Sequence, residues 1–314
     1  MARKPRINIP GGIYHVMLRG NGGHDIFWQP QDQCRFLLLV QEGIARFDYR
    51  VHAFCLMTNH VHLIIQIGRY PLSKIVHNLS FRYTMFINKQ KKQTGHLFQG
   101  RYKAFLIDAD SYLLELVRYI HNNPVRANIV GAADAFPWSS HRAYSGYDEL
   151  PWLTTMWVLG QFTETADSAR QQYRNFIAKG AEEGYRADFH KGMTDSRVIG
   201  DDSFLKTVIS EREKAPVISL QAIIETVCRS YGIQLQDLQG QSRARMMSEA
   251  RGIICWLAQR LASASISEVA ILFKRDISTM SRAVGNIDRK SRESEKFSKI
   301  IGNFLQLLHK TASM

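Results

Sequence analysis

Residues 49–67, YRVHAFCLMTNHVHLIIQI, contain two apolar runs separated by the short polar link Thr58-Asn59. The runs are rich in residues that favour strands, and a two-residue polar link between two such runs is typical of a β-hairpin. In a strand, side chains two residues apart point to the same face of the sheet. The hairpin therefore predicts that the imidazoles of His60 and His62 lie side by side.

The sequence around this hairpin alternates between strand and helix patterns. Strand-like segments are expected at 13–20 and 95–107, and apolar residues at helical spacing predict helices at 30–47, 71–90 and 108–123. The resulting order, β-α-β-β-α-β-α, is that of the split βαβ, ferredoxin-like arrangement. We therefore predict an α+β domain in residues 1–150, an antiparallel sheet with helices on one face.

The C-terminal part of the chain has helical patterns only. Helices are expected at 220–232, 242–262, 265–274 and 275–290, and the last two, joined by a tight turn, indicate a helix-turn-helix. We predict an all-α helix-turn-helix domain in residues 216–314. Residues 151–215 have weaker periodicity and are predicted to be a helical connector.

Charge and composition limit the classes of partner. The net charge of +13 is divided into +8 (18 basic against 10 acidic residues) for 1–150, −1 (9 against 10) for 151–215 and +6 (14 against 8) for 216–314. Basic domains favour polyphosphate partners, although such charge can also serve solubility alone. The sequence has no run of 18 apolar residues, so we expect no membrane span. It has no C-x-x-C pair, so we expect no zinc ribbon. The expected location is the cytoplasm, at the nucleoid.

A second pair of polar residues lies in the predicted helix 108–123. Tyr119 and Asn123 are four residues apart and share a helix face. If that face packs on the histidine strand, Asn123 can supply a third metal ligand, and Tyr119 can attack a phosphate polarised by the metal. Two other interpretations are open. The histidines can satisfy each other or water, and Tyr119 can be an aromatic residue at the edge of the core.

The motifs NHVHLI and YIHNNPVRANIV, residues 59–64 and 119–130, resemble those of the single-tyrosine HUH transposases, in particular the REP-associated tyrosine transposase group. The resemblance spans roughly residues 8–146. It implies an enzyme, a DNA transposase or strand transferase, with Tyr119 as the catalytic residue and His60, His62 and Asn123 as ligands of Mg²⁺ or Mn²⁺. It also implies that single-stranded DNA, as REP-type hairpins, is cleaved and rejoined through a covalent 5′-phosphotyrosine intermediate.

Three basic residues near these motifs are candidates for DNA contact. Arg19 precedes the glycine-rich loop GNGGHD, whose glycines allow the backbone to approach a phosphate. Arg101 and Lys103 flank Tyr102, and an aromatic ring between cations suits a stacked, single-stranded base. Each could equally be a solvated surface charge. The sequence leaves the oligomeric state open between monomer and homodimer.

Residues 242–284 are similar to the C-terminal DNA-binding domain of the bacterial replication initiator DnaA. That resemblance implies a second DNA-binding domain, for duplex DNA. Its candidate DNA-contacting residues are Arg243, Arg245, Lys274, Arg275, Ser278, Thr279 and Arg282. Ile277 stands where DnaA-like domains carry a polar base-contacting residue, so phosphate contacts are expected to persist more readily than base readout. A helical bundle that binds protein is the alternative.

Two rival functions remain beside the transposase. A sequence-specific DNA-binding regulator could carry the same fold without catalysis. A metal nuclease could use water as its nucleophile, with Tyr119 serving only a structural role.

Overall fold

The computed structural model describes residues 7–163, 165–214, 218–242, 244–261 and 263–312. The chain divides into two units, Met1–Ile209 and Ser210–Met314. Each unit has a hydrophobic core of its own.

The first unit contains the predicted order of strands and helices. Its strands are β1 (Ile13–Arg19), β2 (Arg50–Met57), β3 (His60–Gln66), β4 (Lys103–Ile107) and β5 (Val198–Ile199). Its helices are α1 (Pro30–Phe47), α2 (Leu72–Gln90), α3 (Ala109–His121), α4 (Asn123–Arg126), α5 (His141–Ser145), α6 (Met156–Leu159), α7 (Ala166–Lys179) and α8 (Asp188–Lys191), with α9 (Asp202–Lys214) at the boundary between the units.

The five strands form one sheet in the order β2-β3-β1-β4-β5. The first four are antiparallel, in the order of a split βαβ fold, and β2 and β3 are joined by the predicted Thr58-Asn59 turn. The predicted α+β class is therefore confirmed, and so is the ferredoxin-like arrangement. Helices α1 and α2 pack on each other, whereas α3 packs against β2.

The amphipathic pattern of α3 explains how this helix is fixed. Its residues Leu113, Leu116, Val117 and Ile120 are all buried, at the spacing of one helix face. Because that face lies in the core, the polar residues at the end of the helix are held in a defined position. This is the end of the helix that carries Tyr119.

Residues 151–215 differ from the prediction of a helical connector. The segment is mainly helical, but residues up to 209 belong to the first unit, and Val198–Ile199 pair in parallel with Leu106–Ile107 of β4. Phe189 and Tyr173 are fully buried there. A two-residue strand gives no periodic signal, so its addition to the sheet depends on contacts that the local sequence does not reveal.

All regular secondary structure in the described residues of the second unit is helical. Its helices are α10 (Leu220–Tyr231), α11 (Leu235–Gln239), α12 (Arg245–Arg260), α13 (Ile266–Leu272), α14 (Ile277–Glu293) and α15 (Glu295–Ala312). Gly232, in a left-handed conformation, ends α10, and Ser265 caps α13 together with Glu268. The predicted all-α second region is thus confirmed. No helix of the described ranges is long and apolar enough to cross a membrane.

Candidate metal and tyrosine site

The pairing of the strands gathers polar side chains on one face of the sheet. His60 and His62 of β3 lie opposite Arg19 and Met17 of β1, and Lys103 of β4 lies opposite Met17 on its other side. Directly paired residues in antiparallel strands share a face. The register therefore places both imidazoles and two of the predicted DNA-binding cations on a common surface.

Neighbouring residues orient the two imidazoles. Nδ1 of His60 lies 2.7 Å from Oδ1 of Asn59, an oxygen that can only accept, so this nitrogen carries the proton and Nε2 keeps its lone pair. Nδ1 of His62 lies 2.9 Å from Nε2 of the buried His15. A hydrogen-bond partner on the second ring nitrogen usually fixes the tautomer of a metal-binding histidine.

Asn123 reaches the histidine pair despite the proline that follows it. Helix α3 ends at His121, and after Asn122 the short helix α4 begins at Asn123 with Pro124 in its first turn. The amide nitrogen of Asn123 lies 3.1 Å from Nε2 of His62. Proline is tolerated in a first helical turn because its missing N–H has no partner there.

The neighbouring Asn122 anchors this junction. Its side-chain amide donates to the backbone carbonyl of Ile177 in α7 over 2.8 Å, and Asn122 is buried. The two adjacent asparagines therefore have different roles. Asn122 holds the end of α3 to the core, and Asn123 faces the histidines.

Tyr119 lies beside the same pair of histidines. The centre of its ring is 6.5 Å from the centre of the His62 ring, and the residue is only 3% exposed to solvent. The hydroxyl oxygen is 2.6 Å from Nε2 of His190 in α8. The guanidinium carbon of Arg126 lies 3.8 Å from the centre of the Tyr119 ring, and Nη2 of Arg126 donates to the Tyr119 carbonyl over 2.6 Å.

Burial sets the protonation states of the site. Desolvation, and to a smaller extent the charge of Arg19, lowers the pKa of His60 to about 4, although a hydrogen bond with Asn123 opposes this shift. Desolvation likewise lowers the pKa of His62 well below its usual value. Both imidazoles are therefore neutral at pH 7, which is the form that binds metals.

Tyr119 responds to burial in the opposite direction. Desolvation raises its pKa above 10, and the charge of Arg126 opposes that rise. A phenolate at this buried position needs a neighbouring positive charge. Arg126 supplies one such cation from within the chain.

The donors in this region fit a divalent cation. In the part of the chain that the structure describes, no three His, Cys, Asp or Glu side chains are grouped as metal ligands. A metal site here would therefore combine the two imidazoles with the amide oxygen of Asn123. Rotation of the side-chain amide would bring this oxygen to the position that the amide nitrogen now holds. Neutral imidazole and amide oxygen suit Mg²⁺ or Mn²⁺ only with further ligands from water or phosphate.

The site opens into a cleft of about 1220 Å³. The predicted residues Arg19, Arg101 and Lys103 line this cleft together with the predicted catalytic and metal-binding residues. All four residues predicted for catalysis and metal binding, His60, His62, Tyr119 and Asn123, come together within one chain.

Sequence reasoning missed Arg126 and His190, which contact Tyr119 directly. Arg126 lies in the quoted motif YIHNNPVRANIV but was not assigned a role. His190 belongs to the polar segment that was predicted to be a connector, 71 residues after its tyrosine partner. Nothing in the local sequence distinguishes this histidine from an exposed one.

The second unit presents part of its predicted DNA-binding set on its surface. Ser278, Thr279 and Arg282 are exposed on α14, and Ile277 is 55% exposed at the start of that helix. Met280, Val284 and Ile287 form the buried face of the same helix. The predicted Arg245 and Lys274 are also exposed, whereas Arg243 lies outside the described residues.

Two arginines of this unit bind backbone carbonyls. The buried Arg251 donates to the carbonyls of Leu238, Gly240 and Ser242 over 2.7, 2.9 and 2.9 Å. Arg275 also donates to the Gly240 carbonyl. The predicted DNA-binding role of Arg275 therefore competes with a structural role, because one of its nitrogens holds the loop between α11 and α12.

Comparisons with known families agree with this division. Residues 9–123 match the family described as "Transposase IS200 like". This matched part of the first unit is the IS200-like domain, named for its similarity to that family. Residues 220–287 match the helix-turn-helix family of the bacterial DnaA protein, so the second unit contains a DnaA-like domain. Arg126 and His190 both lie beyond the matched part of the IS200-like domain.

Individual relatives match the DnaA-like domain. The replication initiator DnaA of Aquifex aeolicus is 32% identical over 84 residues, which are 26% of this chain and 21% of that protein. DnaA of Campylobacter curvus is 32% identical over 97 residues, 30% of this chain and 22% of that protein. The chain thus spans about a fifth of the length of these relatives.

One solved structure is similar to about half of the chain. It is that of a REP-associated tyrosine transposase bound to a REP hairpin. The likeness covers 49% of this chain and 98% of that one, with 15% sequence identity and a TM-score of 0.42.

Proposed function

We propose that this protein is a metal-dependent DNA transposase that cleaves and rejoins single-stranded DNA through a covalent bond to Tyr119. The observation that carries the proposal is the position of Tyr119 beside His60, His62 and Asn123 in one cleft lined by cations. The match of residues 9–123 to the IS200-like family supports it.

In the proposed reaction, the chain's own residues bind and orient the phosphodiester. Arg19, Arg101 and Lys103 contact the phosphate backbone, and the ring of Tyr102 offers a surface for an unpaired base. The Tyr119 oxygen forms a bond to phosphorus, the 5′ phosphate stays on Tyr119, and a 3′-OH is released. A second 3′-OH can later displace Tyr119, so the strands are rejoined without a nucleotide cofactor.

His60, His62 and Asn123 would hold the metal ion, which we propose to be Mg²⁺ or Mn²⁺. When bound, such an ion supplies charge that polarises the phosphate and stabilises its developing negative charge. Asn59 and His15 keep the two imidazoles in the required tautomers. The lowered pKa values of both imidazoles keep them available as ligands at neutral pH.

We further propose that the substrate is a folded hairpin of the REP type with a single-stranded flank, and that the DnaA-like domain binds duplex DNA. Its exposed Ser278, Thr279 and Arg282 support the second point. The protein would then act on chromosomal DNA, in the cytoplasm at the nucleoid. Because Tyr119 lies beside the histidines of its own chain, a monomer would suffice for cleavage.

Labelled DNA tests this function. Wild-type protein and Tyr119→Phe are incubated with Mn²⁺ and a pool of hairpin oligonucleotides whose single-stranded flanks are randomised. Since the 5′ phosphate stays on the tyrosine, a label at the 3′ end of the DNA should remain with the denatured protein. A label at the 5′ end should be released, and both signals should vanish with Tyr119→Phe or with EDTA.

The same assay separates the rival functions. Cleavage that persists in Tyr119→Phe would indicate a metal nuclease that uses water, and it would overturn the covalent mechanism. Hairpin binding with no cleavage in any divalent metal would indicate a DNA-binding regulator.

A further inference from the structure

The hydroxyl of Tyr119 has a defined partner outside the IS200-like domain. Nε2 of His190 lies 2.6 Å from the Tyr119 oxygen, although the family match ends at residue 123. This is the distance of a strong hydrogen bond between a phenol and an imidazole. The contact involves the oxygen that would attack phosphorus in the proposed function.

The position of His190 is built by its neighbours. Phe189 is fully buried and packs edge-on against the Tyr119 ring, with the ring centres 5.2 Å apart. Tyr185 stacks on the His190 imidazole at 4.8 Å, and Arg186 pairs with Asp188 over 2.7 Å. These three contacts fix the segment 185–190, and with it the imidazole of His190, against the tyrosine.

We propose that His190 is a catalytic residue, the group that accepts the phenolic proton when Tyr119 attacks DNA. This inference rests on the proposed function. As the Tyr119 oxygen bonds to phosphorus, its proton moves to Nε2 of His190. The bond between phosphorus and the 3′ oxygen breaks, and that oxygen takes a proton from water.

In the rejoining step the proton transfer runs in reverse. An incoming 3′-OH attacks phosphorus and gives its proton to water, the bond between phosphorus and the Tyr119 oxygen breaks, and His190 returns its proton to that oxygen. A single imidazole thus serves as base and then as acid, without an external oxidant or reductant.

Arg126 completes the surroundings of the nucleophile. Its guanidinium lies over the Tyr119 ring, where its charge favours the phenolate over the phenol. Nη1 of Arg126 is buried and has no hydrogen-bond partner among the described residues. Arg126 also lines the cleft that contains Tyr119.

The decisive experiment compares His190→Ala and His190→Gln with wild type, using the 3′-labelled hairpin pool and Mn²⁺. We expect adduct formation to slow by a factor on the order of 10² to 10⁴, while hairpin affinity changes less than threefold. Added imidazole should restore part of the rate in His190→Ala, because it can occupy the space left by the side chain. His77→Ala, which removes an exposed histidine of α2, is the matched control and should keep the wild-type rate.

Three outcomes would overturn the role of His190. One is a wild-type rate in His190→Ala, and another is a faster rate, which would mean that the contact holds Tyr119 back. The third is a slow variant that imidazole does not rescue, which would make His190 a structural residue. Failure of the proposed function is distinct, because wild type itself would then form no adduct.

Discussion

The amide of Asn123 and the imidazole of His62 lie 3.1 Å apart, although 61 residues separate them in the chain. The contact joins the segment that follows helix α3 to strand β3, which carries both histidines. It places a potential oxygen ligand beside two neutral imidazoles, one turn after the candidate nucleophile.

Substitution of Asn123 should separate metal binding from folding. Asn123→Ala is expected to reduce Mn²⁺ affinity at least tenfold, whereas Asn123→Asp should keep or increase it because a carboxylate supplies the same oxygen with a charge. Titration of Mn²⁺ followed by electron paramagnetic resonance measures both variants. If Asn123→Ala binds Mn²⁺ as tightly as wild type, Asn123 is not a ligand.

Asn122 provides the contrast for that experiment. Asn122→Ala removes the hydrogen bond to the Ile177 carbonyl and leaves a buried acceptor without its partner. We expect a loss of about 1–3 kcal/mol in the free energy of unfolding. Mn²⁺ affinity of the folded protein should remain near that of wild type.

His15 should influence the metal through His62. In His15→Phe, Nδ1 of His62 loses its partner at 2.9 Å, and the tautomer that leaves Nε2 free is no longer favoured. Changes of this kind typically lower metal affinity 10- to 100-fold. His52→Phe, at another buried histidine of the sheet, is the control, and an equal loss in both variants would rule out a specific role for His15.

Stability of the first unit should decrease in acid because of buried histidines. Burial lowers the pKa of His121 well below 6.5, and its ring nitrogens lie 2.6 Å from the hydroxyls of Ser140 and Tyr173. The unfolded chain binds a proton near pH 6.5, but the folded chain does not. The contribution of His121 to the free energy of unfolding is therefore fully present above pH 6.5. It is lost as the pH falls towards the lowered pKa, by about 1.4 kcal/mol per pH unit for this one group.

Hydrogen exchange of peptides from β2 and β3 measures this loss in the first unit alone. Protection should fall between pH 6.5 and 5 after correction for intrinsic exchange. In His121→Gln the slope should be smaller, whereas the exposed His77→Ala should keep the wild-type slope. An unchanged slope in His121→Gln would show that other groups dominate the acid response.

Duplex binding by the DnaA-like domain should depend on the exposed face of α14. Arg282→Ala should weaken binding of duplex DNA and reduce the slope of log affinity against log salt by about 1, if Arg282 contacts one phosphate. Arg229→Ala removes an exposed arginine of α10 and should leave both values unchanged. Equal effects of the two substitutions would indicate that only net charge matters.

The sequence was sufficient to predict the parts of the fold that have strong local periodicity. The hairpin around Thr58-Asn59, helices α1 to α3 and the capped helices of the second unit all follow from patterns within single segments. The spacing in His60-Val61-His62 and Tyr119–Asn123 was likewise visible, because strand and helix geometry place each pair on one face.

The remaining features depend on contacts between distant segments. β5 has two residues, and His190 reaches Tyr119 from a polar segment without periodicity. The guanidinium of Arg275 points to the Gly240 carbonyl, although its neighbours in sequence suggested a DNA contact. Such positions are set by the packing of the whole unit, which no local pattern encodes.

The central claim is that Tyr119 carries the DNA, and the most direct measurement is to identify the modified residue. Wild-type protein is reacted with the hairpin pool and Mn²⁺, the adduct is digested with nuclease and protease, and the peptides are analysed by mass spectrometry. We predict a nucleotide remnant on Tyr119 and an unmodified Tyr112 in the same helix. A nucleotide remnant on any residue other than Tyr119, or a protein–DNA adduct formed by Tyr119→Phe, would contradict the proposed function.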